Sequence, residues 1–244
     1  MAQTMTTISA TSGNTVSKRG AWREWIEIAV AFALILAVVW TPRPWQRILW
    51  VIAAAALALM IYASFDDRRA MGLRTANLWR SMWIPALALG LSAIAILVAS
   101  RLHTLYLPPG GPFVFIESYL AYIVWTGVQQ FLLQSFFLLR FLRVSASATA
   151  AALAGGALFA AAHLPNPILT PITLLWGSAA CLFFLRYRNL YSLIIAHAVL
   201  GITVALTVPG PVDHNMRVGL GYITYNPYAR IHAHRPALPP SAQP

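Results

Sequence analysis

Between residues 22 and 207 the sequence is a succession of apolar runs, each close to the ~20 residues that an α-helix needs to cross the hydrocarbon of a bilayer. The breaks between them carry arginine, proline or glycine. The runs fall at roughly 22–40, 45–64, 80–100, 113–139, 147–163, 168–185 and 189–207. They predict an all-α, polytopic membrane helix bundle of about seven transmembrane helices. With 59% hydrophobic and 9% charged residues and a mean hydropathy of +0.67, a chain of 244 residues has too little polar surface for a soluble globule. A net charge of +11 raises the question of nucleic acid. The basic residues sit singly or in pairs at the ends of apolar runs, with no basic stripe interleaved with aromatics, so lipid headgroups are the expected partner and nucleic acid is not. Cys181 is the single cysteine, which leaves neither an intramolecular disulfide nor a thiolate metal cluster; it reads as a small apolar core residue.

Residues 1–20, rich in Ser, Thr and Gly and ending near Lys18-Arg19, read as a disordered cytoplasmic tail. No small-residue cleavage site follows the first apolar run, so that run is expected to be a retained anchor. The N-terminal membrane helices occupy 21–110, a membrane core 111–207, and a Pro/Gly/His-rich C-terminal tail 208–244. An N-terminus inside puts Lys18, Arg19, Arg23, Arg68, Arg69, Arg74, Arg80, Arg140, Arg143, Arg186 and Arg188 in the cytoplasm and leaves the smaller set Arg43, Arg47, Arg101, Arg217, Arg230 and Arg235 outside. The connection from Phe65 to Met82 carries Asp66-Asp67-Arg68-Arg69 and Trp79-Arg80, an interfacial pattern. Leu107-Pro108-Pro109-Gly110-Gly111-Pro112 must break the helix before the fourth span. In the fifth span Ala151, Gly155 and Phe159 form one ridge and Ala152, Gly156 and Ala160 the next, which allows close helix approach.

The polar residues inside the spans carry the functional question, because such side chains are costly in hydrocarbon unless they face protein, a cavity or a ligand. Gln130 and Gln134 are four apart and share a helix face, while Gln129 is turned by ~100° from Gln130. Amides bind by hydrogen bonds but take up no proton at useful pH. On their own they serve equally well to tie helices together. His163 and His197, on two of the next three spans, add groups able to act as oxyanion donors, metal ligands or proton carriers. The spans contain no His-Glu-x-x-His, no Gly-x-Ser-x-Gly and no pair of Asp, which weighs against a zinc protease, a serine hydrolase and an aspartyl dyad. Glu117 lies twelve residues before Gln129, ~18 Å along a helix, and reads as a first-turn carboxylate. Arg23 and Glu27 read as a surface pair. Asp213 and His214 follow the last span and could fold back over the bundle.

Taken together, three stretches resemble the CPBP family of intramembrane proteases, also called Abi or CAAX-prenyl-protease-like. The family's first motif, Glu-Glu-x-x-x-Arg, is represented by Gln129-Gln130-Phe131-Leu132-Leu133-Gln134, with Ser135-Phe136-Phe137-Leu138-Leu139-Arg140 continuing it. Phe159-Ala160-Ala161-Ala162-His163-Leu164-Pro165-Asn166 matches the second, Phe-x-x-x-His, and His197 with Gly201 falls where the third has His-x-x-x-Asn or Asp. The resemblance spans about 115–207. It implies a hydrolase of membrane or lipidated peptides with His163, His197, Gln129 and Gln130 as the catalytic set, and Gln134, Phe159 and Asn166 binding substrate. Asp213 and His214 are a possible contribution from the tail. Losing a general base costs ~10²–10⁴-fold in rate, so two alternatives stand beside proteolysis: a silent relative that binds a lipidated or membrane peptide, and a non-proteolytic enzyme acting on an isoprenoid or other lipid. No cofactor is expected, since two His without a carboxylate or thiolate are too few ligands for a usual zinc site. The expected location is the cytoplasmic membrane of a bacterium.

Overall fold

A computed structural model describes residues 18–65, 67–107 and 111–226, and among these every regular element is a helix. In chain order they are α1 (Lys18–Trp40), α2 (Trp45–Ala63), α3 (Leu78–Ser81), α4 (Trp83–Arg101), α5 (Gly111–Phe131), a π-helical segment (Leu132–Leu138), α6 (Leu139–Val144), α7 (Ala148–Ala161), α8 (Leu169–Tyr187), α9 (Tyr191–Thr207), α10 (Gly210–Asp213) and α11 (Leu220–Ile223). Each expected apolar run meets a helix: α3 and α4 share the third, and α5, the π segment and α6 run together through the fourth. Among the described residues, Trp45–Ala63, Leu78–Arg101, Phe115–Val144 and Leu169–Tyr187 are long and apolar enough to cross a membrane unaided. The first run begins inside a helix whose opening turns carry Arg23, Glu24 and Glu27. The shorter α7 and α9 have 14 and 17 residues. The expected disordered stretch 1–20 lies outside the described residues up to 17, and 18–20 open α1.

Large apolar side chains cover the outside: Leu175 is 73% exposed, Val124 63% and Leu89 57%. Patches of that kind on a soluble monomer would be a liability; around a bundle of spans they are the lipid-facing surface of an integral membrane protein. Helix association without a hydrophobic drive relies on close packing, and α7 supplies it. Ala151, Ala152, Gly155 and Gly156 are buried, and a Cβ added at Gly156 would lie 2.7 Å from the Ser178 backbone nitrogen of α8. The two small-residue ridges therefore do what their spacing predicts. Between α4 and α9, Thr203 Oγ1 donates to Ser92 Oγ at 2.7 Å, with both residues buried.

One end of the bundle gathers most of the arginines. Arg140, 3% exposed, sends Nε to Glu27 Oε2 at 2.9 Å, Nη2 to Ser64 Oγ at 2.8 Å and Nη1 to the Phe136 carbonyl at 3.1 Å. Arg23 does pair with Glu27, at 2.8 Å, but the carboxylate is shared with Arg140, so the expected surface pair is half of a clasp holding α1 to α2 and α6. The 65–82 connection is likewise tied down rather than lying free along the interface. Met71 is buried, Gly72 at φ +71° accepts from Leu190 N at 3.0 Å, and Ser135 Oγ donates to the Met71 carbonyl at 2.9 Å. Phe65, Asp67, Arg68, Arg69, Arg74, Trp79 and Arg80 stay exposed along it, Trp79 at 85%. At the other end, residues after Val208 turn back over the bundle: Gly219 N donates to the Leu164 carbonyl at 2.8 Å. The expected tail is thus a docked cap as far as residue 226, and 227–244 lie outside the described residues.

Candidate functional site

Immediately after Gln129-Gln130 the fourth span leaves α-helical geometry for seven π-helical residues. Widened turns of this kind are uncommon and recur at functional sites. Leu133 to Leu138 are all buried, so the distortion lies inside the bundle. Gln130 and Gln134, both fully buried, form a chain: Gln134 Nε2 donates to Gln130 Oε1 at 3.3 Å, and Gln130 Nε2 lies 3.0 Å from His197 Nδ1. An amide nitrogen only donates, so in this chain Nδ1 of His197 accepts and its Nε2 carries the hydrogen. The shared face predicted for the two amides is used for this relay. Gln129, turned away from it, is partly buried and faces a cavity.

That cavity holds about 420 Å³ and is lined by Tyr119, Tyr122, Trp125 and Gln129 of α5, His163, Leu169, Ile172, Thr173 and Trp176 of the α7–α8 region, His197, Leu200, Gly201, Val204 and Ala205 of α9, and Asn215, Met216 and Val218 of the cap. Among these residues there is no carboxylate, lysine or arginine. The Phe159 ring stands between the two imidazoles, with centroids 4.8 Å from His163 and 5.7 Å from His197. His163 Nδ1 is 2.7 Å from the Phe159 carbonyl. A carbonyl only accepts, so Nδ1 bears the hydrogen and Nε2 keeps a lone pair. The two rings on this cavity are therefore opposite tautomers, one with a free acceptor and one with a free donor.

Gln129, His163 and His197 share one cavity, and Gln130 reaches it through His197. Gln134 and Phe159 sit behind the lining. Asn166, grouped with substrate binding above, is fully buried and occupied by the backbone: Nδ2 donates to the carbonyls of Asp213 at 2.8 Å and Arg217 at 3.0 Å, and Oδ1 accepts from Ile168 N and Leu169 N. It starts α8 and pins the cap. Asp213 is buried with Oδ1 accepting from Asn215 N at 2.9 Å, and burial pushes its carboxyl above the ordinary range. His214 stacks on Tyr222 at 3.9 Å and Tyr225 at 4.7 Å. Neither lines the cavity; their neighbours Asn215 and Met216 do. Glu117 is exposed and away from it. Tyr119, Tyr122, Trp125 and Trp176 escaped notice in the sequence because aromatics within apolar spans read as lipid-facing or core residues. The i, i+3 and i+10 spacing of Tyr119, Tyr122 and Gln129 on one face was the available signal. No group of three His, Cys, Asp or Glu side chains lies together among the described residues.

Comparison with known families gives a match over residues 120–203 to the model described as type II CAAX prenyl endopeptidase, Rce1-like. Over that stretch the chain is similar to the Rce1-like family. This agrees with the CPBP resemblance, and the matched stretch contains both Gln-bearing turns, His163, His197 and Gly201. No curated protein and no solved structure matches the chain.

Proposed function

We propose that the chain is an intramembrane endopeptidase of CAAX-protease type, acting on a prenylated membrane peptide, in which histidine carries the proton chemistry that a glutamate carries in the family pattern. The observation that supports this is the opposite hydrogen-bond polarity of His163 and His197 on one uncharged cavity. A water gives its proton to His163 Nε2 as its oxygen adds to the scissile carbonyl carbon. The carbonyl oxygen becomes an oxyanion that accepts from His197 Nε2–H. Collapse breaks the C–N bond, and His163 returns the proton to the leaving amine. Gln129 orients the water or the peptide by hydrogen bonds; Gln130 and Gln134 position His197. The Trp125, Trp176, Leu200 and Val204 walls suit an isoprenoid chain.

The lack of a carboxylate in the lining favours one second reading, a relative that binds the peptide and leaves it intact. Protein reconstituted in vesicles with a farnesylated CAAX tetrapeptide distinguishes the two by mass spectrometry. Cleavage that falls ~10²-fold or more in His163→Ala supports the hydrolase. An intact peptide that still binds the natural protein leaves the silent relative, and conversion of an isoprenoid without peptide cleavage sinks both. The gathering of arginines at one end supports an N-terminus on the cytoplasmic side. The cavity, lined by Tyr119 to Gln129 of α5 and by residues of the cap, then opens toward the opposite side of the bilayer.

A further inference from the structure

Position 201 falls where the family pattern has Asn or Asp, and here it has no side chain. The space is not empty. A Cβ built at Gly201 would collide with the Tyr122 hydroxyl and stand 2.7 Å from Tyr122 Cζ and 3.0 Å from Cε1, and these are the three atoms nearest to it. Tyr122 comes from α5, seven residues before Gln129 on the same face, and Gly201 lies one turn beyond His197 on α9. All four residues line the one cavity. Within the described residues the Tyr122 hydroxyl has no hydrogen-bond partner, although a phenol in a membrane interior normally finds one. The Trp176 Nε1–H, on a residue of the same wall, is also buried without an acceptor. The cavity thus presents two donors, the Tyr122 hydroxyl and Trp176 Nε1–H, that no group among the described residues engages.

We infer that Tyr122 is a substrate-contacting donor of this site: its hydroxyl occupies the place vacated at Gly201 and, beside His197 Nε2–H, hydrogen-bonds the carbonyl oxygen of the bound peptide and the oxyanion that forms from it. The assignment rests on the hydrolase reading for its second half only. A carbonyl ligand that is never cleaved still takes the same bond. The exchange also explains why Gly is needed at 201, since any side chain there displaces the phenol.

The test uses the full-length protein in vesicles, with turnover of the farnesylated CAAX tetrapeptide and, separately, affinity for its ketomethylene analogue, which keeps the carbonyl and cannot be hydrolysed. Tyr122→Phe retains the ring against Gly201 and removes a hydroxyl with no protein partner, so the unfolding temperature is expected to stay unchanged. The expected result is a loss in kcat of ~10²-fold with KM within about threefold, and roughly tenfold weaker binding of the analogue. A paired change supplies the rescue. Tyr122→Ala opens the slot, and adding Gly201→Asn to it is expected to recover at least about tenfold of what Tyr122→Ala loses. Unchanged kcat and unchanged analogue affinity in Tyr122→Phe would overturn the assignment, as would a loss confined to KM. If the natural protein cleaves nothing but Tyr122→Phe weakens the analogue, the hydrolase reading fails and Tyr122 stands as the carbonyl donor of a binding site. A natural protein that neither cleaves the peptide nor binds the analogue overturns both.

Discussion

The charge balance of the buried relay can be measured by putting back two of the three ions of the family motif, at 130 and 134, one at a time and then together. Gln130 and Gln134 are both fully buried, one helical turn apart and joined at 3.3 Å, so Gln130→Glu and Gln134→Arg would place an ion pair where an amide pair now sits. Gln130→Glu alone introduces a carboxylate whose remaining polar neighbours are an amide and the His197 ring; an unpaired buried charge costs about 3–5 kcal/mol. Gln134→Arg alone adds a similar penalty for a lone guanidinium and a further ~1–3 kcal/mol of overpacking, because Arg is larger than Gln in a segment with no spare volume. The site already tolerates one orphan, since Gln134 Oε1 has no donor. In the double variant the charges satisfy each other and only the volume penalty and pair desolvation remain, so its loss should fall well below the ~7–13 kcal/mol sum of the singles. Equilibrium unfolding of the four proteins in mixed micelles measures the cycle. Additive losses would refute the reasoning, because they would mean that positions 130 and 134 do not face each other inside the bundle.

Three further outcomes follow from the packing. Glu24 Oε2 is buried without a hydrogen bond and 3.9 Å from Arg140 Nε, so Glu27→Gln should cost only about 2 kcal/mol as Glu24 takes over, whereas Glu27→Gln with Glu24→Gln should lose distinctly more than the two single losses added, read by thermal unfolding in detergent. Gly156→Ala should destabilise by about 1–3 kcal/mol, and Ser178→Ala should not rescue it, because the Ser178 backbone nitrogen at 2.7 Å is itself in the way. Burial raises the Asp213 carboxyl, so the folded state holds its proton more tightly than the unfolded chain, and the contribution to stability is greatest below the ordinary carboxylate range and lost as pH rises through the raised value. Asp213→Asn should therefore melt higher than the natural protein at neutral pH and equal it near pH ~3; a difference independent of pH would contradict that origin.

Apolar runs and their breaks made the helices legible, since lipid-facing and bundle-facing residues alike must be apolar over a fixed length. The ridges around Gly155 and Gly156 were legible for the same reason: small residues at four-residue spacing have few uses in a span other than close contact. What the sequence conceals depends on distance between elements. Glu27 and Arg140 are 113 residues apart, and nothing local to either marks the clasp. The π-helical turn has no residue signature in Leu132–Leu138, whose Gln134 and Ser135 fit an α-helical span as well as a widened one. The resemblance of the Phe159–Asn166 stretch to the second motif implies a substrate contact for Asn166, yet its amide donates to two carbonyls of the cap, and no pattern in either segment announces that docking. The convergence of Gln129, His163 and His197 was expected from motif order; the part played by Tyr122 required knowing which side chain fills the gap at Gly201.

Replacing Glu by Gln at position 130 is usually counted as the removal of a charge, but its larger effect here is on the neighbouring ring. A carboxylate beside His197 Nδ1 could only accept, so it would fix the hydrogen on Nδ1 and turn a bare lone pair of Nε2 to the other side. The amide does the reverse. Held by Gln134 at its oxygen, Gln130 offers its nitrogen to Nδ1 at 3.0 Å, and the hydrogen of His197 moves to Nε2. Because Gln134 also takes the place of the family's Arg, no counter-ion is stranded by the exchange. His163 is held in the opposite tautomer by a backbone carbonyl, which no side-chain substitution on α5 can alter. An amide pair on one helix is therefore enough to make two histidines complementary, one accepting and one donating, in a cavity whose lining residues include no carboxylate. The departures from the motif are coupled by hydrogen-bond polarity at Gln130 and Gln134, and by volume at Gly201 and Tyr122. Independent decay of the same positions would leave a broken relay and an unfilled slot, and the geometry has neither.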